Sequence, residues 1–360
     1  MKAAVLRESG RALSVEDLEL PALAPGQVRV RLAATGVCHS DLSVARGAIP
    51  GALPAVLGHE GAGVVAEVAD GVSQVAPGDH VVLSWVVPCR RCFYCVRGHT
   101  ELCEHGMDHA FAGPYARDRD GAGVFSTFGT ATFGEETIVP ANAAVPIDPE
   151  FPLDLAALVG CGVVTGIGAV VHSACVRPGE SVAVIGCGGV GLSALQGARL
   201  AGASPIIAID RVPAKLDLAR RCGATETVDA STQDAVAAVR DLTAGRGADH
   251  AIEVVGSPAT MQSAFTMTRR AGTVTLVGAS AMGDVVTFGA MQMMVDAKTV
   301  RGCVYGSTDP QRDFPEMLRL HSAGKIDLAL LVSGHIALGE IDDAFSAMER
   351  GETARTIVVY

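Results

Sequence analysis

The densest chemistry in this sequence is Cys89-x2-Cys92-x2-Cys95-x7-Cys103, four thiols inside fifteen residues. Four thiolates close a tetrahedral zinc shell, and spacings this short let one loop wrap the ion. Arg90, Arg91 and Arg97 lie beside them and would offset part of the negative charge of such a shell. A closed shell leaves no position for a reactant, so this constellation reads as structural. Cys38, His59 and Cys161 have the residue types of a different site. Two cysteines and one histidine leave a fourth zinc position for water or substrate, which catalysis needs. Taken singly, each is equally consistent with an ordinary core residue, since buried cysteine is a common small hydrophobe. The chain has 10 cysteines and opens MKAAVLRESG, with no hydrophobic signal core before Arg7 and Glu8. Such thiols point to metal or chemistry rather than disulfides, and to a cytoplasmic setting.

A second chemistry is written from Val182 to Asp210. The β-branched run Val182-Ala183-Val184-Ile185 meets Gly186-Cys187-Gly188-Gly189-Val190-Gly191 at once. An apolar helical stretch then leads to Ile206-Ile207-Ala208-Ile209 and Asp210, nineteen positions past the last glycine. G-x-G-x-x-G in strand–turn–helix context marks a dinucleotide site. Gly186 allows the tight turn, Gly188 lets backbone approach a pyrophosphate, and Gly191 lets helix pack on strand. The helix N-terminus offers unpaired N–H groups to the phosphates. Asp210 can accept from the adenosine ribose and repel a 2′-phosphate, which favours NAD over NADP; Arg211 works against that exclusion.

These residues need elements to carry them, and 360 residues supply about two domains. Aromatics are only 4%, which suits parallel sheets under closely packed helices. After the two runs above come Glu226-Thr227-Val228, His250 to Val254, Thr273 to Val277 and Thr299 to Val304. That makes an α/β region with a doubly wound, parallel, six-stranded sheet. Earlier residues alternate as short strands (Lys2 to Leu6, Val28 to Leu32, Val64 to Val68, Val81 to Ser84), an irregular and mostly β domain. Leu155 to Val176 carries no formal charge, but its glycines, Thr165, His172 and Ser173 suit a closely packed buried element better than a membrane span. A net charge of −11 argues against nucleic acid or an anionic membrane as partner.

The segments GVCHSD (36–41), GHEGAGVV (58–65), the cysteine loop, GCGVVTG (160–166), GCGGVG (186–191) and Arg355-Thr356-Ile357 follow one another as in zinc-dependent medium-chain alcohol dehydrogenases. The chain resembles that family over nearly its whole length. Segment 104–137 is similar to the branch holding liver-type and glutathione-dependent formaldehyde dehydrogenases. Cys38-His39-Ser40-Asp41 is similar to bacterial benzyl- and allyl-alcohol dehydrogenases. The resemblance implies a GroES-like, mostly-β catalytic domain, 1–162 completed by 302–360, and a Rossmann domain at 163–301. It implies reversible oxidation of an alcohol to an aldehyde or ketone, with hydride passing to NAD and zinc acidifying the alcohol.

Residue by residue, the resemblance implies two zinc ions per subunit. Cys38, His59 and Cys161 would hold the catalytic one and Cys89, Cys92, Cys95 and Cys103 the structural one. Ser40 matches the hydroxyl that takes the substrate proton, while Asp41 and Glu60 match carboxylates behind the metal, one of them orienting His59. The position three residues past Ser40, where liver-type enzymes carry a proton-relaying histidine, is Ser43. Thr165 and Val190 match positions beside the nicotinamide, Gly189 and Val277 match other cofactor-binding positions, and Arg355 matches an arginine on the pyrophosphate. His39 stands where liver-type enzymes have another such arginine. Ile49, Trp85, Met107, Thr127 and Phe128 match pocket walls, which suit an apolar, medium-sized primary alcohol, aromatic or allylic. Met107 stands where the glutathione-using branch needs a cation, which counts against S-(hydroxymethyl)glutathione. Cys161 counts against a polyol- or threonine-type enzyme. An open zinc shell beside Ser40 counts against a non-catalytic NAD- and zinc-binding sensor. Pairing of the sheet edge at Met293 to Val304 with its twin implies a homodimer, with a homotetramer as the alternative.

Overall fold

Strand Gln27–Val37 shows how the first sheet is specified: Val28, Val30 and Leu32 are buried, while Arg29 and Arg31 point to the other face. In the computed structural model, which describes residues 1–360, this strand is central to a seven-stranded sheet. Its neighbours are Glu60–Val68, Arg355–Val359 and Glu136–Pro140, all antiparallel to it. The register sets Gly36 opposite Glu60, so the ends of two strands meet where Cys38 and His59 follow and precede them. A five-stranded sheet built on Lys2–Leu6 covers the same unit, with Phe133, Phe345 and Leu57 in the core between its elements.

The second unit is a parallel sheet of six strands. Its spatial order is Glu226–Asp229, Ile206–Asp210, Val182–Ile185, Ala248–Glu253, Thr268–Leu276, Thr299–Gly302, the doubly wound pattern. Val182–Ile185 is buried at every position, as a central strand covered on both faces must be. Helix Gly189–Leu200 is buried along most of its length.

The chain divides into Met1–Gly162, Asp309–Leu320 and Val332–Tyr360 in one unit, and Val163–Thr308 and His321–Leu331 in the other. The sequence reading put all of 302–360 with the first unit; residues 302–308 and 321–331 fold with the second. Gln196 accounts for the latter: its Nε2 donates to the Asp327 carbonyl at 3.0 Å and its Oε1 accepts the Asp327 N–H at 2.6 Å. The apolar stretch 155–176 breaks into short helices, including Gly162–Gly168 and the π-turn Ala169–Ala174. A Cβ on Gly166 would lie 2.2 Å from the Val190 carbonyl, so close packing explains its small residues. No single helix is long and apolar enough to cross a membrane.

Candidate metal centres and nucleotide turn

Strand Gln27–Val37 runs into Cys38, and helix His39–Ala45 starts at once. Asp41, in its first turn, reaches back so that Oδ2 accepts the Cys38 N–H at 3.2 Å. Its Oδ1 accepts the Gly58 N–H at 3.0 Å and faces Nδ1 of His59 at 3.0 Å. One buried carboxylate therefore joins the two segments that carry Cys38 and His59. With Nδ1 donating to Asp41, Nε2 of His59 is the nitrogen left to bind a metal. Cys161 follows the turn Leu158–Gly160, and one ligand atom from each of Cys38, His59, Glu60 and Cys161 lies within 4.8 Å of the others. The Ser40 hydroxyl flanks this group, 3.9 Å from Cys38 Sγ.

Glu60 sits behind the cluster with Arg355. Its Oε1 accepts the Gly162 N–H at 3.0 Å and lies 3.4 Å from Arg355 Nη2. Two glycines make room for this buried pair: a Cβ on Gly36 would stand 2.2 Å from Glu60 Oε2, and one on Gly162 2.1 Å from Arg355 Nη2. Burial pushes the Glu60 carboxyl up to about 7, against the pull of Arg355. The Cys161 thiol donates to Cys38 and, with Arg355 and His59 nearby, holds Cys38 well below the ordinary thiol range despite burial. Cys161 rises well above that range in consequence. Burial works to lower His59, but Asp41 and Cys38 outweigh it and hold the ring above its usual value. Two sulfurs and one nitrogen fit zinc, and Glu60, the fourth group in reach, is engaged by the Gly162 N–H and Arg355, which leaves a coordination position for a reactant.

The four-cysteine loop passes a similar test. Its sulfurs lie within 4.8 Å of one another, and Cys92 to Cys103 is 3.9 Å. A tetrahedral shell with Zn–S bonds of ~2.3 Å separates sulfurs by about 3.8 Å. Backbone N–H groups of Cys92, Cys89 and His105 point at Cys89 Sγ, Cys103 Sγ and Cys103 Sγ, at 3.3, 3.2 and 3.4 Å. The N–H of Cys95 leads in drawing Cys92 down to about 6, whereas burial pushes Cys95 up to about 12. The arginines do less here than the sequence suggests. Arg90 is near enough to Cys95 to feel its charge but is pinned to Asp309, with Nη2 2.7 Å from Oδ1. Arg97 lies 3.7 Å over the Phe93 ring.

Of the five expected pocket residues, Trp85 and Phe128 stand against the open cluster. The Phe128 ring is 4.8 Å from that of His59 and 5.7 Å from that of Trp85. Phe128 has φ 54°, a left-handed backbone that a bulky residue rarely adopts. Thr127 precedes it in the same turn, Met107 heads the turn Asp108–Phe111, and Ile49 packs into the N-terminal core with its N–H on Ser43 O. The sequence reading assigned no role to Thr35, Thr130 and Thr132, which hold Phe128's segment to Gly58; Thr130 and Thr132 lie in the stretch 128–133 of the family-like segment 104–137, but no spacing ties Thr35 to them.

In the second unit Gly186 has φ 99°, and a Cβ on Gly191 would stand 1.8 Å from the Gly186 carbonyl. Gly188 caps helix Gly189–Leu200, and a Cβ there would meet nothing within 4 Å, so the turn is open to a ligand. Asp210 accepts the Cys187 N–H at 2.7 Å on one oxygen and the Val212 N–H at 2.9 Å on the other. Each oxygen keeps a lone pair for a further donor. A glycine cradle, a helix N-terminus and a tethered carboxylate fit a dinucleotide. Thr165 is buried in helix Gly162–Gly168, Val277 donates its N–H to Glu253 O at 2.8 Å, and Arg211 is exposed. His39 is exposed on the first unit, where Arg355 has Glu60 as its ion-pair partner.

Two family models match the chain: "Alcohol dehydrogenase GroES-like domain" over residues 24–149 and "Zinc-binding dehydrogenase" over 189–323. The NDMA-dependent alcohol dehydrogenase of Amycolatopsis methanolica is 37% identical, covering 100% of this chain and 98% of that protein. The S-(hydroxymethyl)glutathione dehydrogenase of Synechocystis sp. is 36% identical, over 100% of this chain and 99% of that one. Among solved structures, the alcohol dehydrogenase zinc-binding domain protein from Burkholderia ambifaria superposes with TM-score 0.95 at 38% identity, covering 99% and 98%. The benzyl alcohol dehydrogenase of Acinetobacter calcoaceticus gives 0.93 at 34% identity, again over 99% and 98%.

Proposed function

The chain belongs to the zinc-dependent medium-chain alcohol dehydrogenases, and from that premise we propose that its substrate is an apolar primary alcohol of moderate size, aromatic or allylic, and that NAD is its hydride acceptor. The observation that carries the proposal is the open cluster Cys38, His59 and Cys161, flanked by Ser40 and walled by Trp85 and Phe128. Cys38, His59 and Cys161 would hold a zinc ion, which would supply a Lewis acid for the alcohol oxygen, and a bound nicotinamide would supply the hydride acceptor. Ser40 accepts the hydroxyl proton and passes it on; Ser43 relays but stores no proton near neutral pH, so the proton leaves to water. Asp41 fixes the His59 tautomer. Trp85 and Phe128 offer ring faces and edges to an aromatic or allylic π system.

The Asp210 carboxylate supports NAD over NADP, because a 2′-phosphate would meet a negative charge already tethered in place. Cys89, Cys92, Cys95 and Cys103 take a second, structural zinc. None of the ten cysteines is in a disulfide, which suits the reducing cytoplasm. We place the enzyme there as a homodimer.

Initial rates with aromatic, allylic, short-chain, secondary and polyol substrates and with S-(hydroxymethyl)glutathione, each with NAD and NADP, test the reading through absorbance of the reduced cofactor. Benzyl- and allyl-type alcohols with NAD should give the highest kcat/KM. A preference for the glutathione adduct or a polyol would overturn the substrate class.

A further inference from the structure

We propose that Tyr360 is a positioning residue for the aromatic wall of the substrate pocket, acting through Thr132. The inference rests on the reading that Phe128 and Trp85 wall that pocket. Phe128 and Ala131 both have positive φ (54° and 46°), so this segment stays in place only where its surroundings hold it. Thr132 is where the holding converges. Its N–H donates to the Gly58 carbonyl at 3.0 Å, and its hydroxyl lies 2.7 Å from that of Thr35, both buried. Its carbonyl accepts the Tyr360 hydroxyl.

Contact at this point is tight. A Cβ on Gly58 would stand 2.5 Å from Thr132 Oγ1 and 2.7 Å from the Phe133 nitrogen, and one on Gly61 2.5 Å from Thr132 Cγ2. Gly58 in turn donates to Asp41, which holds His59. Tyr360 itself is set by the strand before it, Arg355–Val359, and by its own N–H on the Ala33 carbonyl at 3.1 Å. A hydroxyl brought from a distant strand therefore braces the strained turn from behind. His59 has its own support from Asp41, so losing the brace releases Phe128 before it releases the metal ligand.

Trp85 is the only tryptophan in the chain and packs on Phe128, so its fluorescence reads the wall without any turnover. In the zinc-loaded protein, Tyr360→Phe should make Trp85 more accessible to acrylamide and shift its emission, with zinc content unchanged. For benzyl alcohol KM should rise about fivefold, the worth of one neutral hydrogen bond, with kcat held. For ethanol, too small to need the wall, KM should stay where it is. In a Phe128→Leu background Tyr360→Phe should add nothing to the benzyl alcohol effect, because the two act as one unit. An unchanged Trp85 signal, or an equal loss for both alcohols accompanied by loss of zinc, overturns the proposal. If the wild type oxidises no aromatic alcohol, the substrate reading falls and the fluorescence comparison alone decides the role of Tyr360.

Discussion

Asp41 shows how much one side chain decides at the open metal site. Its two oxygens take the N–H of Cys38, the N–H of Gly58 and the Nδ1 side of His59. Asparagine at this position would turn an NH2 toward at least one of those donors. Asp41→Asn should weaken zinc at the open site by about 10–100-fold. Chelation followed by metal analysis should show one labile and one retained ion in the wild type, with the labile ion leaving sooner in the variant. Equal rates for both ions, or one ion per metal-replete chain, would contradict the two-site assignment. Asp210 acts as singly on the cofactor side. Asp210→Gly removes the charge that would repel a 2′-phosphate, so the ratio of kcat/KM for NAD over NADP should fall by at least about tenfold. A wild type that uses both cofactors equally would show that Arg211 had outweighed the carboxylate.

Among the elements, helix Gly189–Leu200 can start where it does only because residue 191 lacks a side chain. The obstructing atom is the backbone carbonyl of Gly186, 1.8 Å from a Cβ, so no side-chain rotation relieves the clash. Gly191→Ala should cut NADH affinity by more than about tenfold in a fluorescence titration while both zinc sites stay filled. Strand Ala248–Glu253 ends on a buried carboxylate, whose Oε1 accepts from Val255 N, Gly256 N and the Thr260 hydroxyl at 2.9, 2.9 and 2.8 Å. Burial nonetheless raises Glu253 above its ordinary value. Ionising it therefore costs more in the fold than in the unfolded chain. That cost is absent below the ordinary carboxylate range and grows as pH rises toward the folded value. Glu253→Gln removes it, so the variant's Tm relative to wild type should increase as pH rises from about 4, until the folded carboxyl has ionised. A Tm difference that is flat with pH would mean the carboxyl titrates normally.

At the scale of the whole molecule, one of the free sheet edges is flanked by exposed apolar side chains. Thr299–Gly302 is a terminal strand of the six-stranded sheet, and its unpaired backbone groups invite a twin. Just before it, Met291 and Met294 are each 69% exposed and Val295 56%, too much apolar surface in one place for a lone subunit to favour. Light scattering at micromolar concentration should give a homodimer. Met294→Glu places like charges near a two-fold axis and should raise the dimer dissociation constant by at least about tenfold. A monomeric wild type would remove the basis of this prediction.

Several parts of this protein were determined by the sequence alone. The four-cysteine loop and Gly186 to Gly191 were readable because the groups each reading needs sit in contiguous residues: four thiols in one loop, and the glycines in the turn that opens one helix. The central strands of the parallel sheet were readable because a strand covered on both faces is apolar throughout, as Val182–Ile185 is. Cys38, His59 and Cys161 carried no such local signature, and resemblance was needed to group them. Only the tertiary structure decided how they meet, through the pairing of Gly36 with Glu60 and the Asp41 carboxylate that spans both segments. It alone tied His321–Leu331 to the second unit through Gln196, and brought Tyr360 to Thr132. These contacts join residues from 17 to 228 positions apart, where no helical or strand period runs between the partners. Their energy comes from register and close approach, which exist only once the sheets have formed.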